Sequence, residues 1–231
     1  PAHNIALAII VLTLLVRLVL TPLKYQSIDS QMKQRDLQPE LKRIQEKHKD
    51  DKQAQSMAMM QLYKDKGVHP ASGCLPTLVN IIVILTLYSV FRHGVSQFQH
   101  LYPFISAPGS INTAFLWLKD ITQPDNTFVL PVLAAVSQFL FSRSLLASMP
   151  HSTTGDQAGD MAQAMSKQMV YFAPIMTLLI ARSLPAALSL YWVVATLADW
   201  YQQHRGMRRY AANTKERVAV TVRSKKKEAS S

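Results

Sequence analysis

Four long apolar runs, almost free of charge, constrain the fold of this chain more than any other feature. Three of them, Ile5–Leu23, Leu75–Phe91 and Phe128–Ala147, approach the roughly 20 helical residues that cross a bilayer core about 30 Å thick. The fourth run, Met169–Trp200, would be about 48 Å long as a single helix, which is too long for one crossing even with tilt. The fourth run is therefore expected to fold back on itself.

The turn in the fourth run is predicted at Arg182, Ser183 and Pro185. Proline cannot continue the helical hydrogen-bond ladder, and an arginine can extend to a membrane interface. The fold class predicted is an all-α polytopic membrane protein with five transmembrane helices. The whole chain, 1–231, is expected to form a single core. Its segments are expected in the order of a span at 5–23, a cytoplasmic helical hairpin at 24–73, a span at 75–91, an external loop at 92–127, a span at 128–147, a cytoplasmic loop at 148–167, spans at 168–183 and 184–203, and a basic cytoplasmic tail at 204–231.

The distribution of positive charge predicts the orientation of the spans. The net charge of +11 and the 48% of hydrophobic residues would also suit a basic soluble protein. The segment from Lys24 to Gly73 holds ten lysines and arginines and the tail after Trp200 holds nine, whereas the connection from Arg92 to Thr127 holds two. Since basic loops stay on the cytoplasmic side, the N-terminus is expected outside and the C-terminus in the cytoplasm.

The first connection is predicted to be a helical hairpin. Pro39 suits the first turn of one helix, Asp50 or Asp51 can cap a second helix, and Gly67 can end it. Charged and amide side chains dominate both arms, so the hairpin is expected outside the lipid.

Arg17 is the residue least expected in its surroundings. It lies about three residues from the middle of the first run, with no acidic residue within a helical turn or two, where insertion costs roughly 2.5–3.5 kcal/mol. Thr13 and Thr21 lie four residues before and after it, so the three form a polar stripe on one helical face. Because no aspartate or glutamate lies deep in any predicted span to neutralise it, Arg17 is expected to be unpaired and to face a wet cavity. Asp199 lies toward the cytoplasmic end and is the nearest candidate partner, and an Arg17–Asp199 pair would weaken this argument.

The other predicted spans also carry polar residues at helical spacing. These residues are Ser189, Trp192, Thr196 and Asp199 in the last span, Gln138 and Ser142 in the third, and Thr77 and Asn80 in the second. Converging polar faces would line a hydrophilic groove that contains a positive charge. The alternative is that each residue only hydrogen-bonds between helices, and for each hydroxyl or amide taken alone this is the favoured interpretation.

Several function classes lack the residues that they need. Coupled transport usually requires a carboxylate near the middle of the membrane, which the spans do not contain, and the chain has no P-loop for nucleotide hydrolysis. The histidines fall in loops, near span ends or in the tail, and Cys74 is the single cysteine, so neither intramembrane proteolysis nor a cysteine metal site is indicated. We expect no enzyme, no catalytic residue, no metal and no small-molecule cofactor.

Three segments resemble the YidC-type insertases, the family that includes the mitochondrial oxidase-assembly and chloroplast Albino proteins. The first is QPELKRIQEKHKDDKQAQSMAMMQLYKDKGVHPASGCLP, from Gln38 to Pro76. The others are the arginine followed by TPL, between Arg17 and Leu23, and LPAALSLYWVV, between Leu184 and Val194. The order of the three segments matches the family over nearly the whole chain, in a compact form without a large periplasmic domain.

The resemblance implies a five-helix core whose hydrophilic groove opens to the cytoplasm and lipid but is closed on the outside. By this resemblance the groove arginine is Arg17, the third-helix glutamine is Gln138 and the last-helix tryptophan is Trp192. The full candidate substrate-binding set is Arg17, Gln138, Trp192, Thr13, Asn80, Thr196 and Ser189. The family often has glutamine at Asn80, glycine at Ala187, and serine and asparagine at Ala195 and Thr196, so the lining is expected to differ in detail.

The function implied is insertion of nascent membrane proteins into a bacterial plasma membrane without nucleotide hydrolysis. The expected partners are nascent membrane proteins and anionic lipids, with the ribosome, through the basic tail, and the Sec translocon as further candidates. One alternative is a small-anion channel or carrier that uses Arg17 as its binding site. Another is an assembly factor that binds helices already inserted.

Overall fold

The computed structural model describes residues 4–68, 75–93, 112–148 and 157–228. In these ranges the chain is helical, with turns and isolated bridges but no strand. The seven helices described are α1 (Ile5–Asp36), α2 (Gln38–Lys47), α3 (Lys52–Asp65), α4 (Leu75–His93), α5 (Val129–Ser148), α6 (Gln157–Ser183) and α7 (Ala186–Glu228). The all-α fold predicted from the sequence is confirmed.

Helices α1, α5, α6 and α7 form the packed part of the molecule, whereas α4 makes only a few contacts with α1 and α7. Helices α1 and α7 run side by side in the same direction. Ala6 near the start of α1 shares an apolar cluster with Ala186 at the start of α7, and Asp36 at the end of α1 accepts a 2.7 Å hydrogen bond from the Tyr210 hydroxyl. Burial, followed by this hydrogen bond, raises the pKa of Tyr210 to about 12.

One end of the bundle is closed by an apolar cluster, which we call the sealed end. Its buried members are Ala6, Ile9, Leu118, Ile121, Leu130, Ala186, Ala187, Leu190, Tyr191 and Ala195. The segment 112–128 crosses this end, where the backbone N–H groups of Ala186 and Ala187 donate 2.9 Å hydrogen bonds to the carbonyls of Gln123 and Ile121. The same segment accepts a 2.8 Å hydrogen bond from Asn4, whose side chain also caps α1. The starts of α1 and α7 are thus tied to one loop.

Asp125 fixes this loop to the start of α5. It is 1% exposed, and its carboxylate accepts hydrogen bonds of 2.8 Å from the backbone N–H groups of Thr127 and Leu130. Burial alone would raise the pKa of Asp125, but the hydrogen bonds from Thr127, Leu130 and Trp117 outweigh it and hold the pKa below its usual value. The pKa of Asp120 is lowered in the same way, against its own burial, by hydrogen bonds from Thr122 and Thr113.

Large apolar side chains cover the outside of the bundle. Residues from 39% to 75% exposed include Leu7, Val11, Leu12, Leu14, Leu15, Leu18 and Val19 on α1, Leu78, Ile81, Ile82, Leu85 and Val90 on α4, Val129, Val132, Leu133 and Val136 on α5, and Tyr171, Phe172, Ile175, Leu179 and Ile180 on α6. Contiguous apolar surface of this extent is unusual for a protein in water and suits a lipid environment.

By length and composition, two of the described helices can cross a membrane, α1 and the Val129–Ala147 part of α5. Shorter apolar helical stretches occur at Leu78–Val90 and Val170–Ser183. The predicted turn in the fourth apolar run is confirmed, since α6 ends at Ser183 and α7 begins at Ala186. The five-span arrangement itself stays a prediction.

Three helices extend well beyond the apolar runs used to predict them. Helix α1 continues past residue 23 and through Pro22 to Asp36, and α7 continues through the predicted tail to Glu228. Helix α6 begins at Gln157, so the prediction of a loop over 148–167 is wrong for its second half. The end of an apolar run marks where lipid contact stops, whereas a helix continues as long as good helix formers such as Gln, Lys, Arg and Ala follow.

Helices α2 and α3 form the predicted hairpin, but it begins at Gln38 rather than at residue 24 because α1 continues to Asp36. Its cytoplasmic position stays a prediction. Asp51, rather than Asp50, caps α3 by accepting hydrogen bonds of 3.0 and 2.9 Å from the backbone N–H groups of Gln53 and Ala54, and Gly67 follows the helix with a φ of +62°. Leu37, Leu41 and Val68 form the small core between the arms, joined by Met59, Leu62 and Tyr63. Burial raises the pKa of Tyr63.

Candidate functional site

Arg17 is paired with an acidic residue, so the expectation that it stands alone is wrong. Its Nη1 lies 3.0 Å from both carboxylate oxygens of Asp199, and the two side chains are only 12% and 13% exposed. The physical reason is that α1 and α7 are parallel: Arg17 comes twelve residues after the start of α1 at Ile5, and Asp199 comes thirteen after the start of α7 at Ala186. The two residues therefore lie at the same depth.

Polar groups from α4 and α7 surround the Arg17–Asp199 pair. Arg17 Nη2 donates a 2.8 Å hydrogen bond to Asn80 Oδ1, which also accepts one of 2.9 Å from the Tyr191 hydroxyl. The Arg17 carbonyl accepts a 2.8 Å hydrogen bond from the Thr21 hydroxyl, and Gln202 Nε2 donates to Thr21 Oγ1 at 2.9 Å. The guanidinium is consequently held by α7 on one side and by α4 on the other.

Lys24 is a second cation on the same carboxylate. Its Nζ lies 3.2 Å from Asp199 Oδ1, its side chain is 10% exposed, and it also lies 5.2 Å from the centre of the Phe141 ring. Asp199 thus bridges two cations that are seven residues apart on α1, which places them on one face about two turns apart. The charged group formed by Arg17, Lys24 and Asp199, which we call the charge triad, carries a net charge of +1.

Two cavities adjoin Arg17. The larger, of about 70 Å³, exceeds several times the space that one water molecule requires. Its walls are Ile9, Leu12, Thr13, Val16, Arg17, Leu20, Val79, Asn80, Val83, Leu87 and Tyr191. The smaller cavity, of about 20 Å³, lies between Arg17 and Lys24 and is also lined by Gln202. Although Arg17 is ion-paired, the space around it is not filled. The walls of the larger cavity are mostly aliphatic, so together with the ion pair they weaken the prediction of a hydrophilic groove at Arg17.

Gln138 and Trp192 form a second polar group, built from α5 and α7. The Trp192 indole Nε1 donates a 3.4 Å hydrogen bond to Gln138 Oε1, and Gln138 Nε2 donates one of 3.3 Å to Ser142 Oγ. Neither residue lines the cavities beside Arg17. The two residues that the family resemblance adds to Arg17 are therefore paired with each other rather than with the arginine.

The remaining predicted site residues have different surroundings. Thr13 and Asn80 line the larger cavity, although the Thr13 hydroxyl donates to the Ile9 carbonyl of its own helix at 2.6 Å. Ser189 is fully buried and donates a 3.0 Å hydrogen bond to the Ala181 carbonyl of α6, so its role here is to join two helices. Thr196 is 6% exposed. The side chain of Thr77 lies outside the described residues.

Sequence reasoning missed Lys24, Tyr191 and Gln202 as members of this site. Lys24 was assigned to the hairpin because it follows the apolar run. Its spacing of seven residues from Arg17 was the available signal, because it predicts a shared face if the helix continues. Gln202 lies three residues after Asp199 and carries the same kind of signal for α7. Nothing in the sequence distinguishes Tyr191, near the middle of the last predicted span, from the other aromatic residues of the spans.

Comparison with known proteins gives a family for this chain. The family model described as 60Kd inner membrane protein matches residues 1–214. A protein named Membrane protein insertase YidC from Clostridium perfringens (strain 13 / Type A) is 35% identical over 198 residues, which are 86% of this chain and 76% of that protein. A protein of the same name from Francisella tularensis subsp. novicida (strain U112) is 37% identical over 213 residues, 92% of this chain.

The relatives differ in length. This chain covers most of the Clostridium protein but only 34% of the Francisella proteins, among them the one from subsp. tularensis (strain WY96-3418). The three segments whose resemblance was noted in the sequence lie within the matched region. With nearly its whole length matched by the family model and by relatives at 35–37% identity, this chain belongs to the YidC-type family of inner membrane proteins.

Proposed function

We propose that this protein is a membrane-protein insertase. In this proposal it passes hydrophilic segments of nascent membrane proteins through a groove beside Arg17 and releases their apolar helices into lipid, without nucleotide hydrolysis. The name membrane protein insertase, carried by the relatives from Clostridium and Francisella, supports the proposal. The five spans, with the N-terminus outside and the C-terminus in the cytoplasm, are part of it.

The charge triad beside open cavities is the observation that carries the proposal. A hydrophilic segment entering a bilayer loses its hydration, which is costly for each polar or charged group that finds no partner. The triad keeps a net charge of +1 at a depth where α1 is flanked by exposed apolar residues such as Leu18 and Val19, which are 69% and 75% exposed. Acidic groups and carbonyl oxygens of a passing polypeptide would gain an electrostatic partner there.

The surroundings of the triad support movement into lipid. Helix α4, which forms one wall of the larger cavity, contacts its neighbours only sparsely, and Leu12 at the edge of that cavity is 56% exposed. An apolar helix leaving the cavity would therefore meet lipid directly. Its transfer supplies the driving force, at about 0.8 kcal/mol for each buried methylene.

The sealed end favours an insertase over an anion channel. Within the described residues, Ile9 and Tyr191 belong both to the wall of the larger cavity and to the buried cluster of the sealed end, which also contains Ile121 of the segment 112–128. A continuous polar path through this end would have to pass between close-packed apolar side chains. A channel that uses Arg17 as its binding site would conduct anions across the membrane of vesicles that contain the protein but no polypeptide substrate. We expect vesicles containing the protein alone to show no anion flux above that of protein-free vesicles.

Expected partners follow from the same proposal. The cytoplasmic end of α7 carries Arg205, Arg208 and Arg209, and the helix continues as a basic segment to Glu228. Such a segment attracts anionic lipid headgroups or ribosomal RNA. The Sec translocon is a further candidate partner, and the bacterial inner membrane is the proposed location.

Insertion of a matched pair of substrates tests the function. The substrates are two single-span proteins that differ only in an external tail carrying either acidic residues or their amides. In reconstituted vesicles we expect Arg17→Ala to reduce insertion of the acidic-tailed substrate about tenfold, the effect of losing one charge-assisted contact, and Arg17→Lys to reduce it less. Leu18→Ala, on the lipid-facing side of the same helix, should change neither substrate. Equal insertion by wild type and Arg17→Ala would contradict the proposed role.

A further inference from the structure

Asp199 occupies the position that an incoming carboxylate would need. Both of its oxygens lie 3.0 Å from Arg17 Nη1, and its Oδ1 also lies 3.2 Å from Lys24 Nζ. A substrate carboxylate can bind Arg17 only in competition with this resident one. Lys24 favours the substrate carboxylate in this competition, because Asp199 can leave Arg17 and still keep Lys24 as a cationic partner.

The structure provides space for such an exchange. The smaller cavity lies between the two cations, with Arg17, Lys24 and Gln202 in its wall, while the larger cavity reaches Arg17 from the side of α4. Arg17 also retains the Asn80 amide oxygen as a hydrogen-bond acceptor at 2.8 Å. The guanidinium therefore stays positioned by α4 while its carboxylate partner changes.

The charge balance of the triad fits one additional acidic group. Two cations and one carboxylate leave a charge of +1, and binding a single substrate carboxylate brings the group to neutrality. Without Lys24, the Arg17–Asp199 pair would already be neutral, and an incoming carboxylate would leave the group with a net negative charge. Without Asp199, both cations would lack their carboxylate whenever no substrate is present.

We propose that Asp199 is a resident counterion which an acidic side chain of the passing polypeptide displaces from Arg17, and that Lys24 holds Asp199 during this exchange. Asp199 and Lys24 are thus positioning residues that set how strongly and how selectively Arg17 binds acidic segments. The inference rests on the proposed insertase function and adds a substrate preference, for segments with a single acidic residue at the level of Arg17. No covalent step is involved.

The test measures occupancy of the groove by disulfide crosslinking. A cysteine replaces Val16, which lines the larger cavity, in a Cys74→Ser background, and a second cysteine lies in the tail of a stalled single-span substrate. The tail carries either one aspartate or one asparagine. In the otherwise unchanged background we expect the aspartate tail to crosslink more than the asparagine tail, and Arg17→Ala should abolish this preference.

Two substitutions should change the preference in opposite directions. Asp199→Asn removes the competitor and should raise crosslinking of the aspartate tail about fivefold, which corresponds to about 1 kcal/mol of competition for Arg17. In Lys24→Met, Arg17 is the only cationic partner left to Asp199, so crosslinking of the aspartate tail should fall by a similar factor. Adding Asp199→Asn to Lys24→Met should restore this crosslinking. The asparagine tail should be unaffected throughout, and this excludes a merely structural effect.

The results separate the two proposals. Equal crosslinking of both tails in the unchanged background would contradict the proposed role of Arg17 itself. A preference for the aspartate tail that Asp199→Asn leaves unaltered or lowers would overturn the counterion inference and leave the insertase proposal standing. The inference also fails if the loss in Lys24→Met is not restored by Asp199→Asn, or if crosslinking of both tails changes together in a variant that is folded. A misfolded Asp199→Asn variant would lose crosslinking with both tails, and Lys24→Met then decides by its effect on the aspartate tail alone.

Discussion

Asp125 and Asp199 are both largely buried carboxylates, yet their surroundings differ in kind. Asp125, at the sealed end, is satisfied by hydrogen bonds from its own loop and from the first turn of α5. Asp199, in the charge triad, has cationic partners from another helix, and one of them, Arg17, lines two cavities. Asp125 is enclosed by its own loop, whereas unfilled space adjoins Arg17, a partner of Asp199. We interpret the sealed end as a structural part of the bundle and propose the triad as its functional part.

The sealed end should be the most sensitive to loss of packing. Ile121 is completely buried between the starts of α1 and α7, so Ile121→Ala is expected to lower the free energy of unfolding by about 2–5 kcal/mol. Leu116, in the same loop but 77% exposed, provides the matched control, and Leu116→Ala should cost little. Unfolding in detergent micelles measures both variants. A similar loss for the two would mean that the end is not packed as described.

Beyond the triad, α1 and α7 come close again at Gly206. A Cβ at this position would lie 2.6 Å from Ile28 Cδ1, and Ile28 is fully buried. We expect Gly206→Leu to destabilise the protein by about 1–3 kcal/mol through overpacking. Adding Ile28→Ala should recover part of the loss, since it removes the atoms that clash. If the double variant is less stable than Gly206→Leu, close packing of these helices does not explain the effect.

Asp125 should give the sealed end a distinct pH dependence. Its pKa is lowered in the folded protein, so its contribution to stability is present above the unfolded value of about 3.9 and is lost as the pH falls through the folded pKa. Asp125→Asn should cost about 1–3 kcal/mol at pH 7 because an amide nitrogen cannot accept the bonds that the carboxylate accepts. Unfolding measured from pH 7 to pH 3 should show a smaller loss in the variant than in wild type. Parallel curves would contradict this role.

The smallest effect is expected for an ion pair on the surface. Lys66 lies 2.9 Å from Glu40, joining the arms of the hairpin, but both side chains are more than 40% exposed. Lys66→Met should therefore change stability by less than about 1 kcal/mol. Salt should remove what effect there is, whereas the more buried Arg17–Asp199 pair should be less sensitive to it. Unfolding at low and high salt measures this effect. A large change in the free energy of unfolding of Lys66→Met would contradict the expected difference between a surface ion pair and the charge triad.

The sequence predicted those parts of the fold that depend on local signals. The turn before α7 follows from Pro185 and from the length of the apolar run, and the hairpin follows from Pro39, Asp51 and Gly67. These features can be predicted from the local sequence because a capping residue or a proline determines the backbone conformation of its immediate neighbours. The ends of α1 and α7 were not predicted, since hydropathy reports the surroundings of a helix rather than its length.

The charge triad could be predicted only in part. The spacing of Thr13, Arg17 and Thr21 correctly indicated one polar face, and Asp199 was recognised as the nearest candidate partner of Arg17. The pairing itself depends on the relative depth of two helices whose paired residues lie 182 positions apart in the sequence, which no local pattern encodes. Lys24 was missed because α1 continues beyond its apolar run.

Water access along α1 tests the central claim, a hydrated cavity beside the triad, most directly. Single cysteines at Val16 and Leu20, which line the larger cavity, and at Leu18 and Val19, which are exposed on the outside of the same helix, are compared in a Cys74→Ser background in membranes. A water-soluble thiol reagent supplied from the hairpin side is expected to label positions 16 and 20 but not 18 and 19. Failure to label positions 16 and 20, or equal labelling of all four, would contradict a hydrated groove at Arg17.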